Sequence, residues 1–316
     1  MANLPTQELT IVAGALKAAR PVHWVKNLSL FAALLFTQTL FIPYYQKTVF
    51  LAFLVFCLAA SATYIFNDVL DASKDKLHPL KKLRPIAAGQ LPVPLALTEA
   101  LILTFLALLG SNLLNHLFFL AVLTYLILQL GYSLFLKNIP VVDILTIASG
   151  FILRVYAGAF VINAHLSVWF LLCVISVALF LAAGKRRAEL NISKKTGETT
   201  RLSLVKYKRE LLNSYVTMFG NAAWMSWALF TFFESPKASL PVWLVLAEIS
   251  KATTINKLLM ITIPVVIFGI MRYQSLIFQE KSEAPEKILL TDGALIFSVF
   301  LWVGMVVWVL YGGVAI

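Results

Sequence analysis

The chain has 316 residues, of which 60% are hydrophobic and only 13% are charged, and its mean hydropathy is +0.86. An ordinary soluble domain is about half apolar, so this composition excludes that class and indicates an integral membrane protein. The formal net charge of +11 could suggest a nucleic-acid partner. The distribution of the basic residues along the chain argues against one.

Nine apolar segments are candidates for membrane spans, since a span needs about 20 mostly apolar residues. The predicted spans are 28–45, 49–66, 95–112, 117–136, 141–162, 166–184, 211–233, 258–279 and 293–313. No long hydrophilic linker divides them, so 1–316 is predicted to be one transmembrane domain, with 1–27 as a cytoplasmic or interfacial segment. The apolar runs do not alternate with a period of two, so the prediction is an all-α integral membrane protein and not a β-barrel.

The basic residues set the predicted orientation, because cytoplasmic loops carry an excess of lysine and arginine. With the N-terminus in the cytoplasm, 21 of the 26 basic residues fall on the inner side and four on the outer side. This asymmetry supports the nine-span count and accounts for most of the net charge without nucleic acid. It predicts a multi-pass protein of the plasma (inner) membrane, with a cytoplasmic N-terminus and the C-terminus outside.

A block of acids follows the second predicted span, where residues 67–89 read NDVLDASKDKLHPLKKLRPIAAG. Asn67, Asp71 and Asp75 are spaced by four, so on a helix they lie on one face, about 40° apart per step. Asp68 joins that face three residues before Asp71. Crowded carboxylates repel one another, and magnesium, which prefers oxygen ligands and substrate phosphates, would relieve the repulsion. The four side chains are predicted to form a magnesium site that carries a diphosphate.

Bases follow the acids directly and can bind phosphate oxygens beside the metal. They are His78, Lys81, Lys82 and Arg84. A solvated loop with positive-inside lysines is the alternative explanation, and it stays open for Lys74 and Lys76.

Further polar groups are predicted at the same membrane surface, where they can converge on one cavity open to the cytoplasm. They are Lys26, Tyr132, Lys137, Asp143, Lys185 and Arg187. An aromatic belt would also explain Tyr132, and snorkelling would explain Lys26 and Lys137.

Arg154 lies inside the fifth predicted span, about 16 Å along a helix from Asp143. A charge at that depth is costly and usually functional. Arg154 either lines the cavity floor or snorkels outward, and the sequence leaves both open.

The motif NDxxDxxxD, followed by RPIAAG, resembles the UbiA superfamily of intramembrane transferases, whose fold also has nine helices. The finer pattern is similar to the decaprenyl-phosphate phosphoribosyltransferase branch. The matching stretches run from residue 20 to residue 292: RPVHWVKN, YIFNDVLDASKDKLHPLKKLRPIAAG, YSLFLKNIPVVD, GFILRVYAGA, LFLAAGKRRAEL and RY…PEKILLTD.

One departure separates the branches. Prenyltransferases of this superfamily carry a second aspartate-rich motif between helices six and seven, whereas GKRRAELNISKKTGETTRLSLVKYKRE contains no DxxxD. A loop so rich in cations suits a substrate with extra phosphate better than a neutral aromatic acceptor.

The resemblance implies a magnesium-dependent transfer of 5-phosphoribosyl from phosphoribosyl diphosphate to a polyprenyl phosphate of the decaprenyl type, for cell-envelope polysaccharide synthesis. Asp68, Asp71 and Asp75 would hold the metal, which would stabilise the departing diphosphate. Asp143 would be a further catalytic residue that positions a ribose hydroxyl or a second metal. The expected substrate-binding residues are Lys26, Asn67, His78, Lys81, Arg84, Tyr132, Lys137, Arg154, Lys185 and Arg187.

Two other functions remain as alternatives. A UbiA-type prenyltransferase would use the same first motif to ionise a prenyl diphosphate and alkylate an aromatic ring, although the second motif is missing. A transporter or channel of anionic lipids or phosphates would also use a basic inner rim, but transporters usually have paired repeats with broken helices near the midplane. No such repeat is evident here.

Overall fold

The computed structural model describes residues 4–77, 81–196, 202–234, 253–279 and 291–312. These ranges are helical and contain no strand, which confirms the predicted all-α class. The α-helices are α1 Leu4–Ala18, α2 Ala32–Phe36, α3 Pro43–Asp75, α4 Val93–Leu114, α5 His116–Leu134, α6 Val142–Val161, α7 Val168–Thr196, α8 Leu202–Lys206, α9 Arg209–Phe233, α10 Ile263–Phe278 and α11 Gly293–Tyr311. Short 3-10 helices cover Pro21–Phe31, Lys81–Leu83, Leu136–Asn138 and Thr253–Thr262.

The helix starts follow local sequence signals. Pro43 occupies the first turn of α3, where its missing N–H costs no hydrogen bond. The Asn115 side chain caps α5 by accepting from the backbone N–H groups of Leu117 and Phe118. Asp292 caps α11 through the N–H of Leu295. These caps fix where neighbouring apolar helices begin.

Seven helices of the described chain are long and apolar enough to cross a membrane. They are Pro43–Leu77, Val93–Leu114, His116–Leu134, Val142–Val161, Val168–Ser193, Lys257–Phe278 and Gly293–Tyr311. The chain is therefore a multi-pass membrane protein, but the predicted count of nine spans is wrong. Residues 28–45, the first predicted span, are instead split between the 3-10 helix Pro21–Phe31, the five-residue α2 and the start of α3.

The second discrepancy is the predicted span 211–233. Its residues do form a helix, α9, but α9 is not among the seven apolar ones. Polar side chains such as Asn213 and Asn221 lower its hydropathy. α9 packs along α7, so its polar residues face a helical neighbour as well as the bilayer.

Helix α6 lies at the centre of the bundle and has an unusually close neighbour. Gly158 on α6 packs against the backbone of Leu30, so close that a β-carbon placed there would lie 2.0 Å from the Leu30 carbonyl oxygen. Leu30 itself is completely buried. The contact holds the 3-10 helix Pro21–Phe31 close against α6. Arg20 directly precedes this 3-10 helix.

The length of α3 places its acidic end outside the apolar layer. The helix has 33 residues, which corresponds to about 50 Å, whereas the hydrocarbon core is about 30 Å thick. Asn67 to Asp75 occupy its last turns. The turn between α5 and α6 meets α3 at this same end of the bundle. The end of α7 meets the end of α5 and the start of α6 there.

Candidate active site

Three aspartates line one face at the end of α3, as their spacing predicts. Asp68 and Asp75 are buried, at 2% and 4% exposure, and Asp71 is partly exposed. Asn67 shares a partner with Asp71, the ammonium group of Lys137. The face therefore carries three carboxylates and one amide within two to three helical turns. Buried carboxylates require partners, and each of these has one.

Two arginines from different segments bind Asp68. The Arg20 guanidinium donates from Nη2 to both carboxylate oxygens, at 2.5 and 2.7 Å. Arg84 Nη1 lies 3.0 Å from Asp68 Oδ1 and 2.6 Å from Asp75 Oδ2, so it bridges two acids. The loop after α3 thus folds back onto the helix it follows. Arg84 therefore lies beside the acids, and its predicted contact with a substrate phosphate stays a prediction.

Lys137 neutralises the third acid. Its Nζ lies 2.7 and 2.9 Å from the two oxygens of Asp71 and 3.4 Å from Asn67 Oδ1. Lys137 is only 7% exposed, so it does not snorkel to the surface. It comes from the 3-10 turn between α5 and α6, which places that turn directly over the carboxylate face.

Sequence reasoning did not single out Arg20. Its place before Pro21, at the start of an apolar segment, is equally typical of an ordinary positive-inside residue. The structure distinguishes it by backbone as well as side chain, because Arg20 has φ 53°, a left-handed conformation that is uncommon outside glycine. Such strain persists where the surroundings fix it, often at functional sites.

Asp143 does not join the α3 carboxylate face. It is completely buried beside Arg186, whose Nε lies 2.6 Å from Asp143 Oδ2. Its oxygens also accept from the Tyr207 hydroxyl at 2.7 Å and the Ile144 N–H at 2.9 Å. Ser203 Oγ lies 3.1 Å from Oδ2. The acid is fully occupied by protein partners, and its catalytic role stays a prediction.

Arg186 is the second basic residue that sequence reasoning passed over. In the run GKRRAEL only the outer two bases were selected, yet Arg186 is completely buried and is the one that pairs with Asp143. It donates to Tyr132 Oη at 2.7 Å and pairs with Glu189. The spacing of Arg186 and Glu189 by three was the available signal, since such pairs meet on one helix face.

The neighbouring Arg187 is directed to other helices. Its guanidinium donates to Asn213 on α9 at 2.5 Å, also binds Asn191 on α7, and lies over the Phe278 ring. Its predicted contact with a substrate phosphate stays a prediction.

Arg154 is held inside the bundle. Its Nε donates to Asn27 at 2.7 Å, Nη1 to the Gly150 carbonyl at 2.6 Å and Nη2 to the Tyr125 hydroxyl at 2.9 Å. The guanidinium also lies over the rings of Phe56 and Tyr125. Among the described residues its partners are therefore neutral. This geometry favours a role in packing, and a role in substrate binding stays a prediction.

Four further predicted residues, Lys26, Lys81, Tyr132 and Lys185, lie within the described part of the chain. Lys26, Lys81 and Lys185 are half-buried, and Tyr132 accepts from Arg186. His78 lies outside the described residues. The structure thus brings together Asn67, the three α3 aspartates, Arg84 and Lys137, and adds Arg20.

The Tyr207 phenol, which lies between α8 and α9, is buried against Asp143. Burial raises the pKa of Tyr207 above its ordinary value, and the hydrogen bond to the Asp143 carboxylate raises it further. The hydroxyl therefore stays protonated and donates to Asp143. The same oxygen accepts the Val141 N–H at 2.6 Å.

Comparison with known proteins shows the family of this chain. The sequence matches the UbiA prenyltransferase family over residues 26–290. The chain belongs to that family. As a UbiA-family transferase, it is similar to the decaprenyl-phosphate phosphoribosyltransferase of Corynebacterium glutamicum, with 36% identity over 303 residues that cover 94% of this chain and 87% of the relative. The protein of the same name from Mycobacterium tuberculosis is 40% identical over 226 residues, which cover 70% of this chain and 75% of the relative.

Solved structures share the UbiA fold. A UbiA homolog from Archaeoglobus fulgidus, bound to DMAPP and Mg²⁺, superimposes with a TM-score of 0.68 over 94% of this chain and 98% of the homolog. At 20% sequence identity this likeness establishes the fold alone. That homolog shows divalent metal binding within the fold.

The carboxylate face of this UbiA-family chain fits magnesium by its chemistry, because its potential ligands are oxygen atoms. In the described part of the chain, no three His, Cys, Asp or Glu side chains gather around one point. The protein would therefore supply one or two carboxylates per ion, and substrate phosphates would supply further ligands. Arg20, Arg84 and Lys137 contact the same oxygens and compensate their charge in this structure.

A cavity of about 410 Å³ lies at the opposite end of the bundle, between the turn after α2, the α6–α7 loop and the end of α9. Its floor includes Phe36, Phe170 and Phe230, and its rim includes His165 and Glu234. Tyr45, which also lines it, precedes Asp68 by 23 residues of α3, or about 35 Å. Among the described residues, its lining includes no lysine or arginine that could bind a diphosphate.

Proposed function

We propose that this protein catalyses the magnesium-dependent transfer of 5-phosphoribosyl from phosphoribosyl diphosphate to a polyprenyl phosphate of the decaprenyl type, with release of diphosphate. Two relatives with that name, each covered over most of its length, support the proposal. The product would serve cell-envelope polysaccharide synthesis.

The observation that carries the proposal is the charge around the end of α7, where a prenyltransferase of this superfamily would have its second aspartate-rich motif. Asp143 and Glu189 both pair with Arg186. Both acids at this place are thus already paired, and the neighbouring Lys185 and Arg187 add two further cations. A donor with a phosphate besides its diphosphate needs such cations, whereas a prenyl diphosphate and a neutral aromatic ring do not.

The chain's own residues would bind the donor through charge. Arg20, Arg84 and Lys137 would turn from the carboxylates to the diphosphate oxygens, while Asn67 and the aspartates would hold magnesium. The metal supplies charge stabilisation for the leaving diphosphate. Buried, preoriented cations stabilise developing negative charge more strongly than water does.

The bond changes require no strong base. An oxygen of the lipid phosphate attacks ribose C1 as the C1–O bond to diphosphate breaks, and the diphosphate takes the electron pair. The attacking phosphate is already an anion at neutral pH, so no side chain has to remove a proton. Catalysis then consists of positioning and electrostatic stabilisation. Lys26, Lys185 and Arg187 are candidates for holding the 5-phosphate or the lipid phosphate.

The lipid would reach the site from the bilayer, at the inner surface of the plasma membrane. The excess of basic residues at the aspartate end supports a cytoplasmic N-terminus and an outer C-terminus. A reporter inserted after residue 195 should be found in the cytoplasm. Periplasmic exposure of that reporter would overturn the orientation.

A pair of labelled donors tests the reaction. Purified protein receives polyprenyl phosphate with phosphoribosyl diphosphate labelled either at the 5-phosphate or at the terminal phosphate of the diphosphate. The proposal predicts that the 5-phosphate label enters the lipid phase and the diphosphate label stays in water. Transfer of neither label would contradict the proposal.

Prenyl transfer is the alternative, since the chain shares its fold with a UbiA homolog bound to DMAPP and Mg²⁺. The same preparation is assayed with a prenyl diphosphate and an aromatic acceptor. Alkylation of the acceptor without phosphoribosyl transfer would assign the protein to that branch.

A further inference from the structure

The turn that presents Lys137 has an unusual backbone. We call residues 135–141 the Lys137 turn; they join α5 to α6 and include the 3-10 helix Leu136–Asn138. Val141, at its end, has φ 69°, and a β-branched residue with positive φ is a true outlier. Such a conformation persists only where surrounding contacts fix it. The turn therefore depends on support from outside itself.

Two side chains from the connection between α7 and α9 supply that support. The Tyr207 hydroxyl accepts the N–H of the strained Val141 at 2.6 Å and donates to Asp143 at 2.7 Å. Ser203 Oγ lies 2.9 Å from the carbonyl oxygen of Lys137 itself. Ser203 is completely buried and Tyr207 is 5% exposed. The segment 203–207 thus binds the turn at two positions, Lys137 and Val141.

The serine contacts both the turn and the acid that follows it. Its oxygen is also 3.1 Å from Asp143 Oδ2, and a hydroxyl has one proton to donate. It therefore donates either to the Lys137 carbonyl or to Asp143, and Tyr207 holds Asp143 in either case. Arg186 compensates the charge of Asp143 from α7.

We propose that Ser203 and Tyr207 are positioning residues that hold the Lys137 turn in place, so that the Lys137 ammonium group stays over Asp71 and the diphosphate site. This inference rests on the proposed function for its catalytic consequence. Neither side chain contacts the α3 carboxylates in the described hydrogen bonds, so both would act through Lys137. The cationic segment between α7 and α9 would then both attract phosphate and hold the Lys137 turn.

Hydrogen exchange tests the structural half of the proposal without any substrate. In Tyr207→Phe, peptides that cover 135–142 should exchange at least about tenfold faster, because the Val141 amide loses its acceptor. Tyr311→Phe is the matched control: Tyr311 is 6% exposed and its hydroxyl binds the Leu34 and Leu35 carbonyls. Removing that hydroxyl should leave exchange in 135–142 unchanged.

A double-mutant cycle tests the catalytic half. Tyr207→Phe and Ser203→Ala should each lower kcat/KM for phosphoribosyl diphosphate about tenfold in the wild-type background. In the Lys137→Ala background the same changes should have almost no effect, because coupled residues are not additive. Tenfold losses in both backgrounds would overturn the proposal, since the residues would then act independently of Lys137.

The two experiments distinguish a failure of this proposal from a failure of the proposed function. If the wild-type protein transfers a different group, the cycle is run with that activity and the exchange result stands by itself. Equal exchange of 135–142 in wild type, Tyr207→Phe and Tyr311→Phe would overturn the support of the turn, whatever the substrate.

Discussion

The Nζ atom of Lys137 lies 2.7 Å from one carboxylate oxygen of Asp71 and 2.9 Å from the other. The two residues are 66 positions apart in sequence, on the turn before α6 and on α3. An acid that can bind a metal and a base that can bind a phosphate therefore stand in direct contact. A magnesium–diphosphate complex would offer both of them a better partner.

Asp71→Ala should abolish transfer, with a loss of about 100-fold or more, because a metal ligand at the leaving group is lost. The protein should still elute as a folded species in detergent, since Asp71 is partly exposed and stands at the end of α3. Initial rates with the labelled donor measure the effect. Normal turnover by the variant would remove Asp71 from the metal site.

Lys137→Ala should lower kcat/KM for the donor about tenfold, which corresponds to about 1.4 kcal/mol of transition-state stabilisation. The physical reason is the loss of a buried cation beside the diphosphate. A salt titration provides the control, because the remaining activity should not recover with added potassium. An unchanged kinetic profile would leave Lys137 as a simple counter-ion of Asp71.

Arg20→Lys keeps the charge but cannot reproduce the planar, multiply donating guanidinium. Arg20 binds both oxygens of Asp68 and its backbone is left-handed. We expect kcat/KM to fall about tenfold while thermal stability changes little, since the charge pair survives. Equal activity of Arg20→Lys and wild type would show that any cation suffices at this position.

Gly158→Ala should destabilise the protein strongly, because its new β-carbon would lie 2.0 Å from the Leu30 oxygen and 2.7 Å from the Leu30 carbonyl carbon. Overpacking costs about 1–3 kcal/mol even where side chains can adjust, and here the obstacle is backbone. Gly304→Ala on α11 is the matched control, because a β-carbon there meets nothing within 4 Å. Thermal unfolding in detergent should separate the two variants, and equal midpoints would refute the close contact.

Arg154→Met tests whether the buried arginine serves packing or substrate. Loss of its donors leaves the oxygens of Asn27 and Tyr125 without this partner, at about 1–3 kcal/mol for each buried group left unsatisfied. The Gly150 carbonyl keeps its hydrogen bond within α6. The unfolding midpoint should therefore fall, while transfer per folded molecule should persist. The opposite result, full stability with lost transfer, would place Arg154 at the substrate.

The sequence predicted the acidic face of α3 well, because a spacing of four residues maps directly onto one side of a helix. The pairing of Lys137 with Asp71 was less accessible, since it depends on how α5 and α6 pack against α3. Arg186 illustrates the limit within a single run of bases. Only the rotation of α7 in the bundle decides which of three consecutive cations points toward Asp143, and neighbouring helices set that rotation.

The span count shows a different limit. Hydropathy treats 28–45 as one apolar segment, but Pro43 starts α3 and Gln38 adopts φ 57°, which divides the segment. The predicted segment 211–233 does form a helix, α9, but its polar residues exclude it from the seven helices that are apolar enough to cross a membrane. Contacts with neighbouring helices stabilise both the divided segment 28–45 and the polar helix α9. Such contacts cannot be read from a single sequence.

The central claim is that the α3 aspartates bind magnesium and the diphosphate of a phosphoribosyl donor. The most direct measurement is transfer of the 5-phosphate label into polyprenyl phosphate by the purified protein, with magnesium or with a chelator, for wild type and Asp71→Ala. We predict transfer only for wild type with magnesium, and recovery when magnesium is restored after chelation. Equal transfer with chelator, or by Asp71→Ala, would contradict the claim.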